Sequence, residues 1–135
     1  MIISYIRLEI RIPDLRVMKN TIFYLSSCST CTRILKELQP DNSTRLQDIK
    51  TEKISESQID EMAKLAGSYE VLFSRRAMKF KSMGLKDKTL SEAEYKSLIL
   101  SEYTFLKRPV FILNSEIFVG NAKSVVESVK LKMNK

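Results

Sequence analysis

The 135-residue chain has no histidine and no tryptophan, only two cysteines, and three residues each of glycine and proline. Each scarcity excludes something. Without an imidazole, neither Ser-His-Asp nor Cys-His catalysis has its general base. A structural zinc centre needs four ligands, which two thiols without histidine cannot supply. Nothing in the placement of the carboxylates points to a metal site, so none is expected. The scarcity of glycine and proline rules out a collagen-like or low-complexity chain. No run approaches the roughly 18 apolar residues of a membrane span, and no membrane partner is expected. The chemistry therefore falls to Cys28 and Cys31, to arginine and lysine, or to carboxylates.

Hydrophobic residues make up 44% of the chain, and the length suits one domain with a genuine core. Twenty-three basic residues stand against sixteen acidic ones, a net charge of +7. Such a surface favours anionic partners: oxyanions, glutathione-like thiols, acidic protein faces or nucleic acid. Direct nucleic-acid binding rests on charge alone, with no base-reading helix or interleaved aromatics, and is not expected. The basic residues concentrate at Arg75, Arg76, Lys79 and Lys81, and again at Lys130, Lys132 and Lys135.

In the first seventeen residues, Ile6, Leu8, Ile10 and Ile12 alternate as in a short strand that Pro13 ends. Arg7, Glu9 and Arg11 break any secretory apolar core. Residues 1–17 are therefore read as an N-terminal appendage or an over-long start, with the domain beginning at Met18. The expected compartment is a reducing cytoplasm. There a close cysteine pair is catalytic or redox-sensing rather than a structural staple.

Thr21–Leu25 reads as a buried strand, followed by Cys28-Ser29-Thr30-Cys31 and a helix through Leu38. Pro40–Ser43 is a turn, and Thr44–Ile49 a second strand with Leu46 and Ile49 as its candidate packed residues. Ser55–Gln58 and Ser91–Glu94 have capping-box spacing and open two helices, the first ended by Gly67. Shorter helices are expected over Tyr69–Phe73 and Ala77–Met83. Then the period changes: Pro109–Leu113 and Ile117–Val119, linked by Asn114-Ser115-Glu116, read as a hairpin before a last helix over Ala122–Met133. The order is βαβ, an all-helical insertion over about 54–104, then ββα. The fold class is α/β, with a mixed central sheet.

A Cys-x-x-Cys between strand and helix places the first sulfur at a helix N-terminus. Unpaired N–H groups and the dipole favour thiolate there. With no histidine, the helix start and nearby guanidinium groups are the evident activators. Cys28 is therefore the attacking thiol, and Cys31, one turn on, can resolve a mixed disulfide. The same N–H groups, at Ser29 and Thr30, can hold an oxyanion. Arg108-Pro109 is the second element: the arginine's planar fork would face the thiolate or a bound oxyanion.

TIFYLSSCSTCTRILKEL, LFSRRAMKFKSMGL and FLKRPVFILNSEIFVGNAKSVV together resemble the arsenate reductase (ArsC) and Spx family over about residues 20–130. The resemblance implies a thioredoxin-like fold with a helical insertion between its halves. It implies Cys28 as redox nucleophile and Arg108 as the residue facing thiolate or oxyanion before a cis-Pro109. Arg76 falls where many members carry an arginine ahead of the Phe80–Leu85 stretch. In arsenate reductases of this kind the thiol attacks arsenate, glutathione resolves the adduct and glutaredoxin closes the cycle. Spx-type members use the Cys-x-x-Cys as a disulfide switch and bind the C-terminal domain of the RNA polymerase alpha subunit. The implied activity is a thiol–disulfide oxidoreductase acting on a small oxyanion or oxidised thiol. No cofactor is bound; an external thiol such as glutathione, or a glutaredoxin or thioredoxin, is the reductant. The chain departs from the arsenate reductases in having Leu25-Ser26-Ser27 before the cysteine and Gly120-Asn121 after the hairpin. Their helical-block arginine aligns best on Ser74.

Overall fold

A computed structural model describes residues 20–133; the residue 1–17 appendage and its expected strand lie outside them. The elements are β1 (Thr21–Tyr24), α1 (Ser29–Leu38), β2 (Arg45–Asp48), α2 (Glu56–Ala66), α3 (Met78–Ser82), α4 (Glu92–Ser101), β3 (Val110–Leu113), β4 (Glu116–Val119) and α5 (Lys123–Met133). The four strands form one mixed sheet in the order β2-β1-β3-β4. β1 runs parallel to β2 and antiparallel to β3, which pairs antiparallel with β4.

Side chains alternate across a strand, so each central strand supplies two cores. Ile22, Phe111 and Leu113 pack with Ile34 of α1 and with Val126 and Val129 of α5. Phe23, Val110 and Ile112 face the other way, into a larger core with Ile59, Met62, Phe73, Tyr95, Ile99 and Phe105. With both faces covered, β3 is apolar at every position and buried throughout.

At the sheet edge the outcome differs from expectation. Leu46 is 45% exposed, and the buried residue is its neighbour Gln47, 1% exposed. The register sets Gln47 opposite Phe23, on the side that the helical block covers. Leu46 lies opposite Ile22, on an edge strand. The buried amide is satisfied: Gln47 and Gln58 exchange hydrogen bonds, and Gln47 Nε2 also donates to the Glu52 carbonyl. Gln58 is in turn the third residue of α2 and closes its capping box, so Gln47 is tied to the start of that helix.

Both expected capping boxes form, at Ser55–Gln58 and Ser91–Glu94. The hairpin link is shorter than expected. Glu116 already pairs with Leu113, leaving Asn114 and Ser115 at φ 50° and 68° as a two-residue turn of the type that matches strand twist. The expected Tyr69–Phe73 helix is only a 3-10 turn, Glu70–Leu72. It stops because Phe73 turns extended and bridges Leu106. Ser74 N–H donates to the Phe105 carbonyl at 2.7 Å and Lys107 N–H to that of Leu72 at 2.8 Å. This short ladder ties the helical block to the chain that enters β3. Among the described residues no helix is long and apolar enough to cross a membrane.

Phe73 is fully buried, with its ring centroid 5.0 Å from Phe105, 4.9 Å from Tyr95 and 5.9 Å from Phe80. Phe73→Ala is expected to lower stability by about 3–5 kcal/mol, read as a drop in the urea midpoint at constant slope.

Candidate active site

The Cys28 amide donates to the Leu25 carbonyl at 3.0 Å, closing a tight turn at the end of β1. Asp48, at the end of β2, accepts from the Ser26 amide at 3.2 Å and pins the same turn from the side. Thr32 N–H then donates to the Cys28 carbonyl at 3.1 Å, the first bond of α1. Cys28 is therefore the residue that caps α1, in an extended conformation. Cys31 and Ile34 anchor the first turns of the helix in the protein interior.

Cys28 is half-buried and Cys31 completely buried, both as free thiols. Their acidities move apart. Burial raises the Cys28 pKa, but the Cys31 amide and thiol, the Thr30 amide and the Arg108 charge outweigh it and hold it below the usual thiol value. Burial pushes Cys31 up to about 11; the Leu25 main chain opposes the rise, while proximity to Cys28 reinforces it. The signs are those of a Cys31 S–H donating to a Cys28 thiolate.

Arg108 precedes a cis peptide bond to the buried Pro109. Its Nη1 donates to the carbonyls of Thr104 at 3.1 Å and Leu106 at 3.0 Å. Its Nε is buried with no hydrogen-bond partner among the described residues. One corner of the guanidinium is thus anchored to main chain, and the Nε side makes no bond to the described residues.

Arg108 also forms the wall of a cleft of about 460 Å³, shared with Phe73, Ser74, Arg75, Arg76, Lys107, Gly120 and Asn121. The structure therefore brings Cys28, the Thr30 amide, Cys31, Arg108 and Pro109 to one end of the sheet, with Arg76 in the adjoining cleft. Of the expected site residues only Arg76 and Arg108 line that cleft; Cys28, Ser29, Thr30, Cys31 and Pro109 do not, and Ser29 stands exposed on the first turn of α1. Arg75 and Lys107 complete the basic wall, and sequence reasoning had not marked them as site residues. Arg75 Nη2 donates to Tyr95 Oη at 2.7 Å and to Glu70 at 3.2 Å, and its guanidinium lies over the Tyr95 ring. No spacing rule could show that Tyr95, twenty residues away, holds it. Among the described residues there is no cluster of three or more metal-ligating side chains.

A mixed sheet, a cysteine at the first helix N-terminus and a cis-proline opening the third strand define a thioredoxin-like α/β fold. The sequence profile of the ArsC family matches residues 23–129, and the chain belongs to that family. Among similar solved structures is a protein from Streptococcus mutans described as a possible arsenate reductase, 26% identical, with a TM-score of 0.65; the match covers 82% of this chain and 97% of that one. An arsenate reductase from Vibrio cholerae is 17% identical with a TM-score of 0.64, covering 84% of this chain and 96% of its own. An arsenate reductase (ArsC) related protein from Brucella melitensis is 22% identical with a TM-score of 0.63, covering 82% and 92%. Comparison with curated proteins gives no match.

A thiolate absorbance titration should show two steps, Cys28 below the ordinary thiol range and Cys31 at about 11. Arg108→Gln removes a positive charge that favours the Cys28 thiolate, so the lower step is expected to move to higher pH. An unchanged first step would show that Arg108 does not act on the sulfur.

Proposed function

We propose that the protein is an ArsC-family thiol–disulfide oxidoreductase in which Cys28 attacks and Cys31 resolves. The observation that carries this reading is the opposed acidity of two sulfurs in one helical turn, one half-buried and one completely buried. The Cys28 thiolate attacks a disulfide sulfur of the substrate, forming a mixed disulfide and expelling the substrate's other sulfur as thiolate. Cys31 gives up its proton and attacks Cys28. A Cys28–Cys31 disulfide forms and the second substrate thiolate leaves. The substrate gains two electrons and the cysteine pair loses them.

An oxyanion substrate would use the same groups. Amides at the α1 start, those of Ser29 and Thr30 among them, and the Nε side of Arg108 supply donors for it, and Arg76 adds charge at the cleft. Pro109 is buried and joined to Arg108 by the cis peptide bond. The reductant is an external thiol such as glutathione, or a glutaredoxin or thioredoxin, in the cytoplasm; the chain's own chemistry requires no bound cofactor.

The Cys-x-x-Cys itself favours a second reading. Sulfurs already in contact can close to a disulfide with little motion, as in an Spx-type switch that binds the C-terminal domain of the RNA polymerase alpha subunit without turnover. Pull-down on that domain by oxidised and reduced protein tests it, and binding in neither state eliminates it.

Cys28→Ser is expected to reduce turnover of a small disulfide to background. Cys31→Ser should trap the mixed disulfide, visible by intact-mass spectrometry, and keep partial turnover where an external thiol can resolve it. A Cys28→Ser protein that still turns over would overturn the assignment.

A further inference from the structure

The stretch from Arg75 to Lys88 carries six cations against a single carboxylate, Asp87, within a chain of net +7. Two of the cations are neutralised locally, Arg75 by Glu70 and Lys79 by Glu102. Arg76, Lys81 and Lys86 make no ion pair among the described residues. The inward positions of this stretch are already taken: Ala77, Phe80 and Leu85 pack on the larger core, with Phe80 edge-on to Phe73. What remains outside includes two methionines, Met78 at 89% exposure and Met83 at 49%. The core has no use for them. Exposed methionines ringed by cations form an adaptable apolar surface suited to a partner of opposite charge.

Its position ties this surface to the cysteines. Arg75 and Arg76 line the cleft together with Arg108, and Arg108 acts electrostatically on both sulfurs. Arg76 joins this face to the cleft wall, and Arg108, on the same wall, is the link from there to the sulfurs, which do not themselves line the cleft. We propose that the Arg76–Lys86 face docks an acidic protein dithiol, the reductant that returns the Cys28–Cys31 disulfide to the thiol state. The inference rests on the oxidoreductase reading and adds the partner's charge and landing place.

A partner thiolate attacks Cys28, the only one of the two sulfurs open to it, since Cys31 is completely buried. An S–S bond forms between partner and Cys28, and Cys31 leaves as thiolate and takes a proton. The partner's second thiolate then attacks its own sulfur in the mixed disulfide and releases Cys28 as thiolate. Two electrons pass to this protein, and the partner ends as a disulfide.

The test measures reduction of the oxidised protein by three dithiols. These are a peptide dithiol flanked by four glutamates and a leucine, the same peptide with glutamines, and dithiothreitol. At low ionic strength the glutamate peptide is expected to react at least about tenfold faster than its glutamine analogue, with the gap closing as salt rises. Lys81→Glu/Lys86→Glu should remove that advantage, Met78→Ser should lower it, and both variants should keep the dithiothreitol rate. Equal rates for the two peptides, or an advantage that survives the charge reversal, overturn the docking surface while leaving the reading of Cys28 and Cys31 intact. A protein that forms no Cys28–Cys31 disulfide on oxidation overturns both.

Discussion

The Thr32 amide bond to the Cys28 carbonyl, with the turn bond from the Cys28 amide back to Leu25, sets the first residue of α1, and the chemistry depends on it. A capping position normally holds Ser, Thr, Asp or Asn, whose oxygen accepts from the second or third amide of the helix. Here a sulfur occupies it. The neutral thiol makes no cap hydrogen bond. The Thr30 and Cys31 amides, second and third in α1, are nevertheless among the groups that favour its anion. Ionisation of Cys28 therefore completes the helix cap, and the helix start in turn lowers the cost of ionisation. Shifting the start of α1 by one residue would take the sulfur off the cap and place Cys31 on another face. Asp48 and the buried Ile34 oppose that shift from either side.

The second half of the site comes from far along the chain, and its delivery depends on a few main-chain bonds. The bridge between Phe73 and Leu106, with the bonds from Ser74 and Lys107, holds the end of the helical block beside the entry to β3. Arg75 and Arg76 follow one side of this ladder, Lys107 and Arg108 the other. The cleft is the gap that the two chain segments leave as they diverge. This explains why its walls are basic while its floor includes Phe73, the residue that locks the block in place.

Much of the architecture was legible because its signals are local. The capping boxes at Ser55 and Ser91, the apolar run of β3 and the strand–Cys–helix order each belong to a short window and each appears in the structure. What failed depended on partners distant in sequence. Leu46 belongs inward by hydrophobicity, yet the register with β1 and the position at the sheet edge leave it exposed, while Gln58 makes burial of Gln47 acceptable. Tyr69–Phe73 has a helical pattern, but Leu106 takes Phe73 into a β-bridge. At the site, the sulfurs and Arg108 could be read from motif and order. Arg75 could not, since its place depends on Tyr95 and Glu70.

The absence of histidine acquires a further meaning once these groups are placed. The cleft cations are three arginines and a lysine, with no imidazole among them. The carboxylate nearest the cysteine turn, Asp48, is held below its usual range, chiefly by its hydrogen bond from Ser26, so it remains ionised. With no histidine in the chain, the groups at the site whose acidity is shifted are the two sulfurs and Asp48. Cys31, at about 11, contributes only at the alkaline end. The field of helix start and guanidinium acts chiefly on one variable, the protonation of Cys28. A histidine beside it would add a second titration. Permanent cations give the sulfur an environment of constant charge, and the reactivity of the pair follows the state of one thiol.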